Sequence, residues 1–208
     1  MTRVWYSFIV LIVAILSFSR AFAAVEQSVF YDRTEKFKEV FSDSVKINLG
    51  KSLSFKIWDG VGKAFAQCTA EICEIIVFSG FLDIQKVKQI HLDALLCHEM
   101  GHFLGTRFTN ESKLSEIHSS TYAVEGEADY YSASICLPLL LSPLSTSDLA
   151  EVGYELLGMT SGGLPTHSDG RNPHSRDSAL GTDMSYPDVD CRFASFMAGA
   201  KHEPRPSC

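Results

Sequence analysis

The chain has 208 residues, with 25 acidic against 18 basic side chains and a formal charge of −7 at neutral pH. That balance argues against nucleic-acid binding and against adhesion to an anionic membrane, since both need a basic surface. With 46% apolar residues and no internal repeat, heptad run or low-complexity tract, the sequence suits one domain with a proper core.

Residues 1–23 read as a secretory signal peptide. Arg3 precedes an apolar run from Phe8 to Phe18, and Ala21-Phe22-Ala23 offers a small-x-small cleavage site. The run is short for a bilayer span, which takes about 20 residues, although an uncleaved anchor is the alternative. Later, Leu137 to Leu144 is broken by two prolines, so no span is expected after cleavage. This implies a secreted or periplasmic protein, with residues 24–208 as the folded domain and its oligomeric state open.

Phe30, Phe37, Val40 and Phe41 among charges predict an amphipathic helix over Phe30–Phe41. Ser54–Trp58 alternates like a strand and ends in an Asp59-Gly60 turn; Lys63–Ala66 and Glu74–Phe78 suggest two more strands joined through a Cys68–Cys73 turn. A helix follows from His91 to Gly105, then a polar loop, then a helix from about Val124 to Cys136. That helix is expected to turn Ala128, Tyr131, Ile135 and Leu139 to the core and to end at Pro138. Ser145 to Asp148 resembles a capping box opening a helix that stops at Gly158. Thr160 to Asp183 reads as a long loop whose His167 and His174 are either solvated or oxyanion donors, and Arg192 to Ala200 as a last helix.

The chemistry concentrates in His98-Glu99-Met100-Gly101-His102. On a helix, residues four apart share a face, so His98 and His102 can aim two imidazoles at one ion with Glu99 beside them. This is the HExxH zinc pattern, in which two ligands and an adjacent carboxylate serve a metal-activated water. The bland alternative is an amphipathic helix with Leu92, Leu95, Leu96, Glu99 and Phe103 along one stripe. A Glu flanked by two His makes a poor core stripe unless something pairs those groups. The extension HExxHxxGxxH is excluded, because Phe108 stands where its third His belongs. The remaining common solution takes a Glu from a downstream helix. Glu125 and Asp129 share a face at four-residue spacing, whereas Glu127 is turned roughly 200° from Glu125 at about 100° per residue. Glu125 is therefore the expected third ligand to one Zn2+, and Asp129, one turn on, is placed to hold the second N–H of a ligating His. The alternative makes these acids a charge cluster favoured by the helix dipole. Arg192 reads equally as a donor orienting substrate or a loop and as a structural ion pair.

Six cysteines behind a leader point to an oxidising compartment and disulfides. Cys68 and Cys73 can staple a local turn, and Cys191 and Cys208 can tie the tail back. Elimination leaves Cys97 and Cys136, an uncomfortable pair. If Asp129 lies near His98 on antiparallel helices, Cys136 falls about 10 Å further along, beyond disulfide reach unless the helices cross differently.

HExxH followed by Glu125-x-x-Ala128-Asp129 resembles the gluzincin family of the HtpX heat-shock proteases and CAAX prenyl endopeptidases, especially its small secreted relatives. Ser185-Tyr186-Pro187-Asp188-Val189-Asp190-Cys191-Arg192 is similar to that family's Thr-His-Pro-x-x-x-x-Arg block, with Tyr186 in place of the His. The three blocks cover roughly Ala64 to Ala200. The resemblance implies a zincin-like α+β domain, mostly helical, with a small mixed or antiparallel sheet beside the HExxH helix. It further implies an edge strand near Ala64-Phe65-Ala66 that can hold an extended polypeptide, and Tyr186 as an oxyanion donor. The function so implied is a zinc endopeptidase with Glu99 as general base. A non-catalytic or latent metal-stabilised binding module is the competitor, against which the intact Glu99 argues, because a structural site has no use for that base.

Overall fold

The computed structural model describes residues 25–84, 86–105, 125–161 and 189–206. The leader, Tyr186, His167, His174 and Cys208 lie outside the described residues. Helix α1 (Gln27–Leu49) buries Phe30, Thr34, Phe37, Phe41 and Val45, a stripe with spacings of three and four that its period places on one face. It stops at Gly50, whose left-handed backbone (φ 70°) lets its N–H reach Lys46 O at 2.9 Å.

Three strands follow, β1 (Ser52–Trp58), β2 (Ala64–Cys68) and β3 (Ile72–Phe78), in the spatial order β1-β3-β2. β1 runs parallel to β3 and β2 antiparallel to it, so the sheet is mixed and β2 lies at its edge. The hairpin is pinned where Cys68 faces Cys73, and these two form a disulfide. Leu53, Phe55, Ile57, Cys73, Ile75 and Val77 turn into the core. The opposite face carries Trp58 in edge contact with Phe65 and Phe78, with Trp58–Phe65 centroids at 5.6 Å, together with the Lys56–Glu74 ion pair. Trp58 is 46% exposed.

A short α2 (Ser79–Leu82) leads to α3 (Gln89–Leu104), which is buried on nearly every side by Leu92, Ala94, Leu95, Leu96, Met100 and Phe103. It packs against α1, β2, β3 and the helices downstream. Its first turn is fixed by His91. The Nδ1 of that residue accepts the Lys88 N–H at 3.1 Å, so its Nε2 donates to Glu155 Oε2 at 2.7 Å.

Helix α4 (Glu125–Tyr131) passes without a break into a π-helical turn (Ser132–Cys136) and then α5 (Leu137–Leu141). Pro138 therefore sits in the first turn of α5 and does not end the helix there, because the wider π turn ahead of it, where the Leu137 N–H reaches back to Ser132 O, makes room for the ring. The π turn also rotates the face downstream of it. Leu139, expected in the core, is 60% exposed, and Leu137 and Leu140 are buried instead. Helix α6 (Thr146–Ser161) begins at the expected capping box, with Ser145 N donating to Asp148 Oδ2 at 2.9 Å and Asp148 N to Ser145 Oγ at 3.2 Å. It runs through Gly158, where a stop was expected, and α7 (Val189–Ala200) packs on α4 and α6. The architecture is α+β, mostly helical with one small mixed sheet. No single helix among the described residues is long and apolar enough to cross a membrane.

Candidate metal site

Helix α4 lies between α3 and α7, and small residues set how closely. A Cβ on Gly101 would stand 2.6 Å from Ala128 Cα, and one on Gly199 would stand 2.5 Å from Tyr130 O. Both contacts are with backbone, which cannot swing aside. The two glycines thus let the carboxylates of α4 reach histidines on one side and an arginine on the other. Replacing Gly101 with Ala is expected to separate α3 from α4. The helix-propensity gain of about 1 kcal/mol is outweighed by overpacking of about 1–3 kcal/mol, or more where backbone is struck. Denaturant unfolding and a zinc titration check this, and a variant with unchanged stability and affinity would show that the contact does not matter.

At that junction His98, His102 and Glu125 each present a ligand atom, all within 4.8 Å of one another. His98 Nε2 and His102 Nε2 are 3.2 Å apart. Glu125 Oε2 lies 3.2 Å from His98 Nε2, and Glu125 Oε1 lies 3.7 Å from His102 Nε2. Donors on a tetrahedral ion with bonds of about 2.0–2.2 Å stand about 3.3–3.6 Å apart, so these are near the edge lengths such an ion requires. Among the described residues the buried Glu125 Oε2 makes no well-formed hydrogen bond and has only ion-pair contacts with His98 and Arg192, so a cation would satisfy it. The donor set therefore fits a divalent cation.

The support around it is also built. Asp129 Oδ1 is 2.7 Å from His98 Nδ1, which assigns that nitrogen's proton and leaves Nε2 free to ligate. Asp129 in turn accepts two bonds from Arg192, from Nε at 2.8 Å and Nη2 at 2.9 Å, while Nη2 also lies 3.2 Å from Glu125 Oε2. Arg192 is 3% exposed. Of its two expected roles, the geometry realises the ion pair. Glu127 turns away, as its rotation around the helix requires, and pairs with Arg205 at 3.5 Å.

Burial opposes every charge here, and the partners decide the sign. His98 is raised to about 10 because Asp129 and Glu125 outweigh its desolvation. Glu125 is lowered to about 2 against the same desolvation, by His98, Arg192 and His102. Since only a neutral imidazole can ligate, a proton and a cation compete for His98 Nε2. Glu99, 5% exposed, is pushed up to about 7, mainly by burial, with His98 opposing and Glu125 adding to the rise. Lys63, just before β2, is lowered by burial and by Arg192 while Glu125 opposes, so the start of the edge strand feels the charges of this site.

The Cys97–Cys136 disulfide forms, with a Cα separation of 5.5 Å. The reach expected from a uniform helical rise is corrected by the π turn, which holds more residues per turn and shortens the advance from Asp129 to Cys136. Ser132 Oγ, donating to Ala94 O at 3.3 Å, marks the antiparallel line along which they meet. Cys191 is also disulfide-bonded. The role of Gly101 was missed in the sequence, though its only signal, a glycine inside a helical motif, was there to read. Compared with known proteins, the chain matches no family model, and no curated protein or solved structure is significantly similar to it.

Proposed function

We propose that the protein is a zinc-dependent endopeptidase of zincin-like fold, acting on polypeptides in an oxidising compartment. The observation that carries this reading is the set of three ligand atoms near tetrahedral spacing with a buried carboxylate, Glu99, on the next residue to a ligand. His98, His102 and Glu125 would hold the ion, which when bound supplies Lewis acidity toward a peptide carbonyl and toward water. Glu99 takes the proton of the attacking water and delivers it to the leaving amine, a task suited to a buried carboxyl group next to a ligand. Asp129 keeps His98 in the ligating tautomer, and Arg192 holds Asp129. The edge strand β2, paired on one side by β3 in the sheet of the described residues, can bind an extended chain through main-chain hydrogen bonds. Tyr186 is the proposed oxyanion donor. The disulfides, with no free cysteine among the described residues, suit secretion or a periplasm.

The test is bound-metal stoichiometry together with digestion of an unfolded protein such as casein, before and after chelation. One zinc per chain is expected, with activity lost on chelation and restored by zinc, and with both lost in His98→Ala. Full hydrolysis by the stripped protein, or no bound metal in active material, would remove the reading.

A further inference from the structure

The Cys97–Cys136 disulfide brackets the candidate centre. Its two cysteines are 39 residues apart in sequence, and His98, His102, Glu125 and Asp129 all fall inside the loop it closes. Cys97 immediately precedes His98, and Cys136 ends the π-helical turn that continues the helix carrying Glu125 and Asp129. Both are fully buried. The bond therefore cross-links the segment that supplies the imidazoles to the segment that supplies the carboxylate. The other ties along this line are not covalent: Ser132 to Ala94 O, Gly101 against Ala128, and the polar contacts of His98 with Asp129 and Glu125.

We propose that Cys97 and Cys136 are positioning residues of the metal centre, whose disulfide holds the two ligand-bearing helices in register, so that ion binding and oxidation of this pair stabilise each other. The inference rests on the metal reading above and is independent of the peptidase step. A cross-link of this length removes freedom that the ion would otherwise have to restrain. The coupling is reciprocal: whatever factor oxidation contributes to metal affinity, the metal returns as resistance of the bond to reduction. The ion is then held weakly by a reduced chain and tightly once the chain has been oxidised.

Zinc affinity is measured on the full chain by competition with a chromophoric chelator, in the oxidised form, after reduction by a water-soluble phosphine, and in the Cys97→Ala/Cys136→Ala variant. The phosphine attacks one sulfur, the S–S bond breaks, and water supplies the oxygen of the phosphine oxide and the protons of the two thiols. Kd is expected to rise tenfold or more in both forms lacking the bond while circular dichroism stays helical. It should change less than twofold in Cys68→Ala/Cys73→Ala, which lacks only the hairpin staple. Saturating zinc is expected to lower the equilibrium constant for reduction of Cys97–Cys136 in a glutathione redox buffer at least tenfold, read by alkylation and mass spectrometry. Equal affinity in the oxidised protein and a folded Cys97→Ala/Cys136→Ala variant overturns the coupling. If the forms lacking the bond do not fold, a reduction equilibrium indifferent to zinc overturns it. An oxidised protein that binds no zinc removes the metal reading and this inference with it.

Discussion

Glu99→Gln is expected to lower peptide hydrolysis by about 10²–10⁴-fold, the range of a positioned general base, while leaving one zinc per chain. The amide nearly matches the carboxylate in shape but cannot take up a proton. The ligand atoms of His98, His102 and Glu125 are separate from it, so the ion should stay. The large effect follows from placement. Glu99 is 5% exposed, and its burial drives its acidity toward neutral pH, where one group can both accept and return a proton. Turnover of casein and metal content on the same sample check the two halves together. A variant with undiminished turnover would take Glu99 out of the mechanism, and one that loses zinc would make it a structural residue.

Arg192→Met is expected to reduce folding stability by about 3–5 kcal/mol, the penalty for leaving a buried charge without its partner. The substitution keeps length and apolar bulk but strips a fork of two bonds from Asp129, which is 3% exposed. Burial disfavours the Asp129 carboxylate, and Arg192 is the largest of the charges that hold it well below its usual range. A carboxylate lowered in the folded state contributes stability above its unfolded value of about 4 and loses it as pH falls further. The deficit of the variant should accordingly be full at neutral pH and narrow in acid. Arg192→Lys should recover part of it, since an ammonium cannot form the fork. Denaturant unfolding at several pH values measures this, and a deficit below about 1 kcal/mol at neutral pH would contradict it.

What the sequence disclosed about the site depended only on helical period. His98 and His102, and Glu125 and Asp129, are each four apart, so two short local patterns place four side chains without any knowledge of the fold, and the rotation of Glu127 follows from the same rule. The helices and strands were legible for a related reason, since the Phe30, Phe37 and Phe41 stripe and the β3 run carry their periods in plain view. Where the period itself changes, the reasoning lost its footing. The π turn at Ser132–Cys136 shortened the distance to Cys97 and swung Leu139 out to solvent, and nothing in Ser-Ala-Ser-Ile-Cys announces it. Partnerships across long separations were equally hidden. His91 finds Glu155 sixty-four residues away, and Arg33 finds Asp93 at 2.6 Å, because tertiary packing and no local pattern brings them together.

The exposed ring of Trp58 has a practical consequence. The chain's other tryptophan is Trp5, within the expected leader, so a chain trimmed of residues 1–23 carries one indole emitter, on the outer face of the sheet. Its fluorescence reports the strands, whereas far-ultraviolet dichroism is dominated by the helices. If the two signals melt at one midpoint, sheet and helical layer unfold as a single cooperative unit; if they separate, the strands come apart on their own.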